Sequence, residues 1–133
     1  MTFLAKHIGV SVNRTSSEVY EYASNPVNLP KWAAGISGSI RKVNEDWIAE
    51  SPIGTVKVRF VEKNKFGILD HDVMLQSGEN VYNPMRVVPN NDGSELVFTL
   101  YQRLGMSDQM FAEDAEIVRQ DLERLKNVLE KSY

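Results

Sequence analysis

Apolar and polar positions alternate at the start of the chain. Between residues 3 and 13, Ile8, Val10 and Val12 share one phase and His7, Gly9 and Ser11 the other, which predicts a strand with one apolar face. Thr15-Ser16-Ser17-Glu18 follows with the spacing of a capping box: the Thr15 hydroxyl accepts from an amide three residues on while Glu18 reaches back. A short helix is predicted there over Val19, Tyr20, Tyr22 and Ala23. Asn25-Pro26 ends it, because the residue before a proline avoids the helical region. A second short helix or turn is predicted over Val27 to Ala34, holding Pro30 and Trp32.

The middle of the chain reads as strands separated by turns. Ser39 to Val43, Trp47 to Glu50, Thr55 to Glu62, Ile68 to Leu75, Asn80 to Val88 and Glu95 to Arg103 are the predicted segments. Val56, Val58 and Phe60 alternate with Lys57 and Arg59, so the third of these has one inward face. Asp92-Gly93 is the clearest hairpin signal, since tight hairpin turns call for positive φ. Connections this short allow antiparallel pairing and leave no room for parallel crossovers.

The last quarter carries the strongest periodicity. Phe111, Ala115, Val118, Leu122, Leu125 and Leu129 recur at spacings of four and three, which places them on one helical stripe that Ile117 and Val128 widen. Ser107 or Asp108 supplies the cap, and Arg119–Glu123 and Lys126–Glu130 stand at i,i+4 on other faces. A lone helix with such a stripe must bury it, and the sheet is the large apolar partner at hand. The expected architecture is α+β: a helix-grip fold in which a curved antiparallel sheet of about six to seven strands, preceded by two short helices, is crossed by a long C-terminal helix. A single domain covers residues 1–133.

Composition narrows the function classes. Charged residues are 25% of the chain and the formal net charge is −3, which argues against nucleic acid as a partner. There is no cysteine, so thiol chemistry, disulfides and thiolate metal sites drop out. Two histidines far apart make a metal site unexpected, and no cofactor motif is present. No apolar run approaches a membrane span, and the N-terminus lacks a signal-peptide core, so a cytoplasmic protein is expected.

Several stretches carry a family resemblance. The segment TSSEVYEYASNPVNLPKW (15–32) after an N-terminal strand, then KFGILDHDV (65–73), NPMRVVPNNDGSELVFTL (83–100) and GMSDQMFAEDAEIVRQDLERLK (105–126), together resemble the START-related superfamily (SRPBCC). That superfamily includes birch-pollen-allergen-like proteins, aromatase/cyclases and bacterial polyketide cyclase/dehydratase-like proteins. The resemblance spans nearly the whole chain. It implies the helix-grip fold and the binding of a small hydrophobic ligand. It does not choose between plain binding, a cyclase or dehydratase reaction, and a chaperone-cofactor or other protein-interaction role.

His71 is the leading candidate for chemistry. It shares the phase of Leu69, Val73 and Leu75, and a histidine in an apolar pocket can act as general acid or base. A core histidine satisfied by a backbone carbonyl explains it equally well. Asp70 and Asp72 have the opposite phase and are expected on the outer face. Candidate ligand contacts are Trp32, Trp47, Val58, Phe60, Leu69, Tyr82, Asn83, Arg86, Tyr101, Phe111 and Val118. For each aromatic among them core packing is the better reading, and only their number around one concave face favours a pocket. Arg86 could grip a ligand carboxylate, although an ion pair with Asp70 or Asp72 fits its position better. A monomer or homodimer is expected, with Met106 to Phe111 the candidate contact.

Overall fold

The alternating N-terminal segment is strand β1 (Ala5–Val12), and the capped segment after it is helix α1 (Ser16–Ala23). A 3-10 turn over Pro26–Asn28 leads to the short helix α2 (Leu29–Trp32), and a second turn covers Ala34–Ile36. Strands β2 (Ile40–Val43), β3 (Asp46–Ser51), β4 (Gly54–Phe60), β5 (His71–Met74), β6 (Asn80–Asn83), β7 (Met85–Asn90) and β8 (Gly93–Tyr101) follow, and helix α3 (Asp108–Lys131) comes last. These elements come from a computed structural model that describes residues 1–36 and 38–131. No helix among them is long and apolar enough to cross a membrane.

Local chemistry sets the boundaries. The Thr15 hydroxyl accepts from the Glu18 amide at 3.2 Å and donates to the Glu18 carboxylate at 3.0 Å, so the capping box closes through side chains. Ser107 caps α3 by accepting from the Met110 amide at 3.1 Å. The β7–β8 hairpin turns through Asn91 and Asp92, with the positive φ (52°) at Asn91. Gly93 is therefore not the left-handed residue that Asp92-Gly93 suggested. It is a strand residue whose added Cβ would stand 2.6 Å from the Val12 carbonyl oxygen.

Strand count departs from expectation. Among the described residues eight strands form two antiparallel sheets, β2-β3-β4-β5-β6 and β1-β8-β7. The predicted strand 80–88 is split at Pro84, which has no amide to give a ladder. The predicted strand 68–75 is split at Asp70. Its first part pairs with β7, through Leu69 N to Met85 O (2.8 Å) and Val87 N to Gly67 O (2.9 Å), while His71–Met74 pairs with β6. The Asp70 carboxylate bridges the break by accepting from the Met85 amide at 2.9 Å. One pair of broken strands thus stitches the two sheets together.

Helix α3 lies against β1, β8, α1 and α2. Leu122, Leu125 and Leu129 are fully buried among Val12, Val19, Ala23 and Leu29. Arg14 fastens the C-terminal end, donating to the carbonyls of Leu129 (3.2 Å) and Glu130 (3.1 Å), where free helix carbonyls favour a cation. Lys126 pairs with Glu130 at 2.7 Å as expected, whereas Arg119 turns back to Glu116 instead of Glu123. In the candidate contact segment Phe111 is buried and Met106 packs on the core, leaving Met110 exposed.

Candidate functional site

A cavity of about 400 Å³ opens beneath the N-terminal half of α3. That is within the size range of small-molecule pockets, roughly 300–1,000 Å³. Strand pairing explains its floor. Val58 stands opposite Val73, and His71 opposite Asn83, so their side chains share one face of the sheet. Val118 and Leu122 of α3 form the roof, and Trp32 of α2 forms one wall. The β3–β4 hairpin tip also lines it, where Ser51 opposes Gly54 across a turn made by Pro52 and Ile53. Ile53 is exposed there although it is an isoleucine in a tight turn.

His71 is 8% exposed and lies in the cavity wall. Its ring stacks on Phe60 (centroids 4.8 Å apart) and meets Phe98 edge-on at 6.2 Å. Nδ1 is 3.0 Å from the Leu69 carbonyl oxygen. A carbonyl only accepts, so Nδ1 carries the proton and the Nε2 lone pair is left over. Burial pushes the His71 pKa below its ordinary value, against the opposing pull of the Leu69 carbonyl, Asp70 and Asp72. The ring is therefore neutral at physiological pH.

Trp32 lines the cavity with its ring carbons, while its indole nitrogen is shut off from the open space. It is 3% exposed, and its indole N–H meets no acceptor among the described residues. An unmet buried donor carries a desolvation penalty of about 1–3 kcal/mol. The Trp32 carbonyl, by contrast, accepts from Arg124 at 2.7 Å. Arg124 also donates to Asp121 at 2.9 Å, and the Asp121 carboxylate accepts the Ala34 amide at 3.1 Å, so this trio fastens the wall to α3. Burial raises the Asp121 pKa, while the Ala34 amide and Arg124 oppose the rise. Asp114, one helical face with it at i,i+7, is likewise raised by burial, with Arg103 opposing and Glu113 adding.

Five of the sequence candidates meet at this cavity: Trp32, Val58, His71, Asn83 and Val118. The others lie elsewhere, and each has a physical reason. Leu69 is solid core on the stitch between the sheets, and Phe111 is buried at the start of α3 with Lys6 Nζ 4.9 Å from its ring. Phe60 reaches the cavity only through His71, as the ring behind it. Trp47 pairs with Val58 but sits one strand nearer the sheet edge, with Lys42 Nζ 6.0 Å from its ring. Tyr101 lines a smaller adjoining hollow of about 170 Å³ together with Tyr82.

The expectation that Tyr82 and Arg86 serve the cavity is corrected. Tyr82 pairs with Asp72 and shares the outer face, where its hydroxyl donates to Asp70 at 2.8 Å. Arg86 grips the same carboxylate through Nε (3.1 Å) and Nη2 (3.0 Å), the ion pair its position suggested. Burial alone would raise the Asp70 pKa, but the Arg86, Met85 and Tyr82 hydrogen bonds hold it below its ordinary value. Sequence reasoning passed over Leu29, Ile53, Asp114 and Asp121 in the lining. The seven-residue spacing of the two aspartates beside the apolar stripe was the available signal. Among the described residues no group of three or more potential ligands could hold a metal ion.

No protein-family model matches the chain, and no curated protein matches it in sequence. Solved structures match its shape. An uncharacterized protein from Bacillus thuringiensis superposes with a TM-score of 0.74 at 14% identity, over 95% of this chain and 98% of that one. Protein XoxI from Bacillus cereus gives 0.71 at 15% identity, over 97% and 96%. DynU16, a protein of the dynemicin biosynthetic locus, gives 0.73 at 15% identity, over 96% of this chain but 48% of its own. At these identities the likeness shows a shared fold and nothing finer.

Proposed function

We propose that this protein is a helix-grip, START-related domain that binds a small hydrophobic or aromatic molecule in the cavity between α3 and the sheet. The observation that carries the reading is the cavity itself: about 400 Å³, walled mainly by valine, leucine, isoleucine and aromatic side chains. A few polar atoms in an apolar enclosure are what a small-molecule site needs for orientation. The occurrence of the fold in DynU16, from a biosynthetic locus, supports a role in handling small molecules. The test is saturable binding of 1-aminoanthracene, followed by its fluorescence, with Val118→Trp made to fill the space. Wild type should bind one equivalent, and the variant should bind at least about tenfold more weakly with an unchanged circular dichroism spectrum. Equal binding by the folded variant would rule out this cavity as the site.

A cyclase or dehydratase activity is the second reading. The observation favouring it is the Nε2 lone pair of a neutral His71 in the cavity wall, a position from which a base can take a proton. Tyr82 and Arg86 have no part in it, since both are bound to Asp70 on the outer face. Turnover of a poly-β-keto thioester that survives His71→Ala would remove this assignment.

A further inference from the structure

Open hydrogen-bonding capacity in the cavity is almost all of one kind. His71 gives its Nδ1–H to the Leu69 carbonyl at 3.0 Å, which leaves Nε2 an acceptor. The two ring nitrogens point nearly opposite ways, so Nε2 is turned away from the Leu69 backbone. It has no partner among the described residues and, unlike the Trp32 indole nitrogen, it is not sealed off. Asn83, opposite His71 across β5 and β6, gives one amide N–H to the Val81 carbonyl at 3.3 Å, and its Oδ1 meets no donor among the described residues. Asp114 adds a carboxylate with no hydrogen bond among the described residues. Donors, by contrast, are spent. The Ser51 hydroxyl donates to the Gly54 carbonyl at 2.7 Å and accepts the Ile53 amide at 3.3 Å. The second Asn83 N–H is the one open side-chain donor left among the described residues of the lining.

From this balance we infer that the ligand is an apolar molecule carrying a neutral hydroxyl, and that this hydroxyl donates to His71 Nε2. The inference rests on the ligand-binding reading above and narrows it to a class. A hydrocarbon of the same shape covers Nε2 and leaves it unmet, which costs affinity. An ether or ketone brings one more acceptor to a face already made of acceptors, with a single Asn83 N–H to meet it. A carboxylate or phosphate adds a charge beside Asp114, and no lysine or arginine lines the cavity to offset it. A protonated amine donates as well, but it must shed its water in a mostly hydrocarbon wall, and Arg103 already acts on Asp114 from the adjoining hollow. A hydroxyl supplies the proton the face lacks and keeps a lone pair for the remaining Asn83 N–H.

Four probes with one apolar body separate the possibilities: 2-naphthol, 2-methylnaphthalene, 2-methoxynaphthalene and 2-naphthylmethylamine. Each is titrated into the intact protein by calorimetry and by imidazole ¹⁵N spectra at about pH 7.5, where the naphthol is neutral. The chain has two histidines, and His71→Phe assigns the His71 ring signals by their loss. The naphthol should move the Nε2 resonance toward the range of a protonated nitrogen, and 2-methylnaphthalene should leave it near its free value. The methyl ether keeps the oxygen but lacks the proton, and it should bind more weakly than the naphthol. In His71→Phe the preference for naphthol over 2-methylnaphthalene should fall at least about tenfold, while 2-methylnaphthalene binding itself reports that the variant is folded. An unchanged preference in that variant, an Nε2 resonance indifferent to the naphthol, or tighter binding of the ether or the amine would overturn the inference and leave the hydrophobic site standing. Failure of all four probes to bind would remove the site and the inference together.

Discussion

The two halves of α3 follow one sequence rule and meet opposite surroundings. Toward the C-terminus, Leu125 and Leu129 are fully buried where α3 packs on β1, α1 and α2, and Leu122 marks the boundary with the cavity. Toward the N-terminus, Ile117 and Val118 continue the same stripe but look into an open cavity. The helix period is unbroken across both. What differs is the partner: the C-terminal half faces small, close elements that interdigitate with it, and the N-terminal half faces β4, β5 and β6 across a gap. An apolar stripe therefore states that a face is buried, and it is silent on whether the space beneath it is filled.

Truncations in the two halves put that contrast to its hardest test. Leu125→Ala removes a side chain that is 0% exposed and leaves a void in packed core, so urea unfolding should show a loss of about 3 kcal/mol, within a usual span of 2–5. Val118→Ala only enlarges a space already present, and its loss should stay under about 1 kcal/mol. Comparable losses at both sites would mean that the two halves are packed alike.

The pH response of His71 sharpens the picture of the open half. Its pKa is lowered in the folded protein by burial, so below about pH 6.5 the unfolded chain takes up a proton that the buried ring refuses. Stability should then be full above about pH 7 and fall as pH drops from about 6.5 toward the folded pKa. His71→Phe keeps a ring on Phe60 and removes the titration, so this slope should vanish in the variant. The raised carboxyls Asp114 and Asp121 shift stability in the opposite direction at acid pH. The difference between the wild-type and variant curves therefore carries the prediction. Parallel curves would mean that His71 is solvated.

The smallest effect belongs to the outer face. Arg86 has a side chain 49% exposed, so its pairing with Asp70 is largely screened. Arg86→Ala should cost under about 1 kcal/mol and leave 1-aminoanthracene affinity unchanged. A loss of binding would place the outer face in communication with the cavity and weaken the distinction between them.

Much of the fold was legible along the chain. The capping box at Thr15, the alternation in β1 and β4, and the stripe of α3 each follow from local periodicity and appear where they were expected. The breaks at Asp70 and Pro84 were harder, because they come from a side chain and an imide meeting across strands. The candidate site was half legible. His71, Val58 and Val118 sit in clear inward phases, but Tyr82 and Asn83 are neighbours whose faces are fixed only by pairing with Asp72 and His71. The aspartates of the lining looked like any acids on a solvated helix.

By itself the sequence determined that this is an α+β chain with antiparallel strands and one long helix obliged to bury a face, because helix and strand periods are properties of neighbouring residues. Tertiary structure alone decided that the face is filled over Leu125 and Leu129 and hollow beneath Ile117 and Val118, that Arg86 and Tyr82 close on Asp70 outside the cavity, and that the Trp32 indole N–H meets no acceptor among the described residues. A void and an unmet hydrogen bond are relations between elements distant along the chain, and no local pattern records how far apart two packed surfaces come to rest.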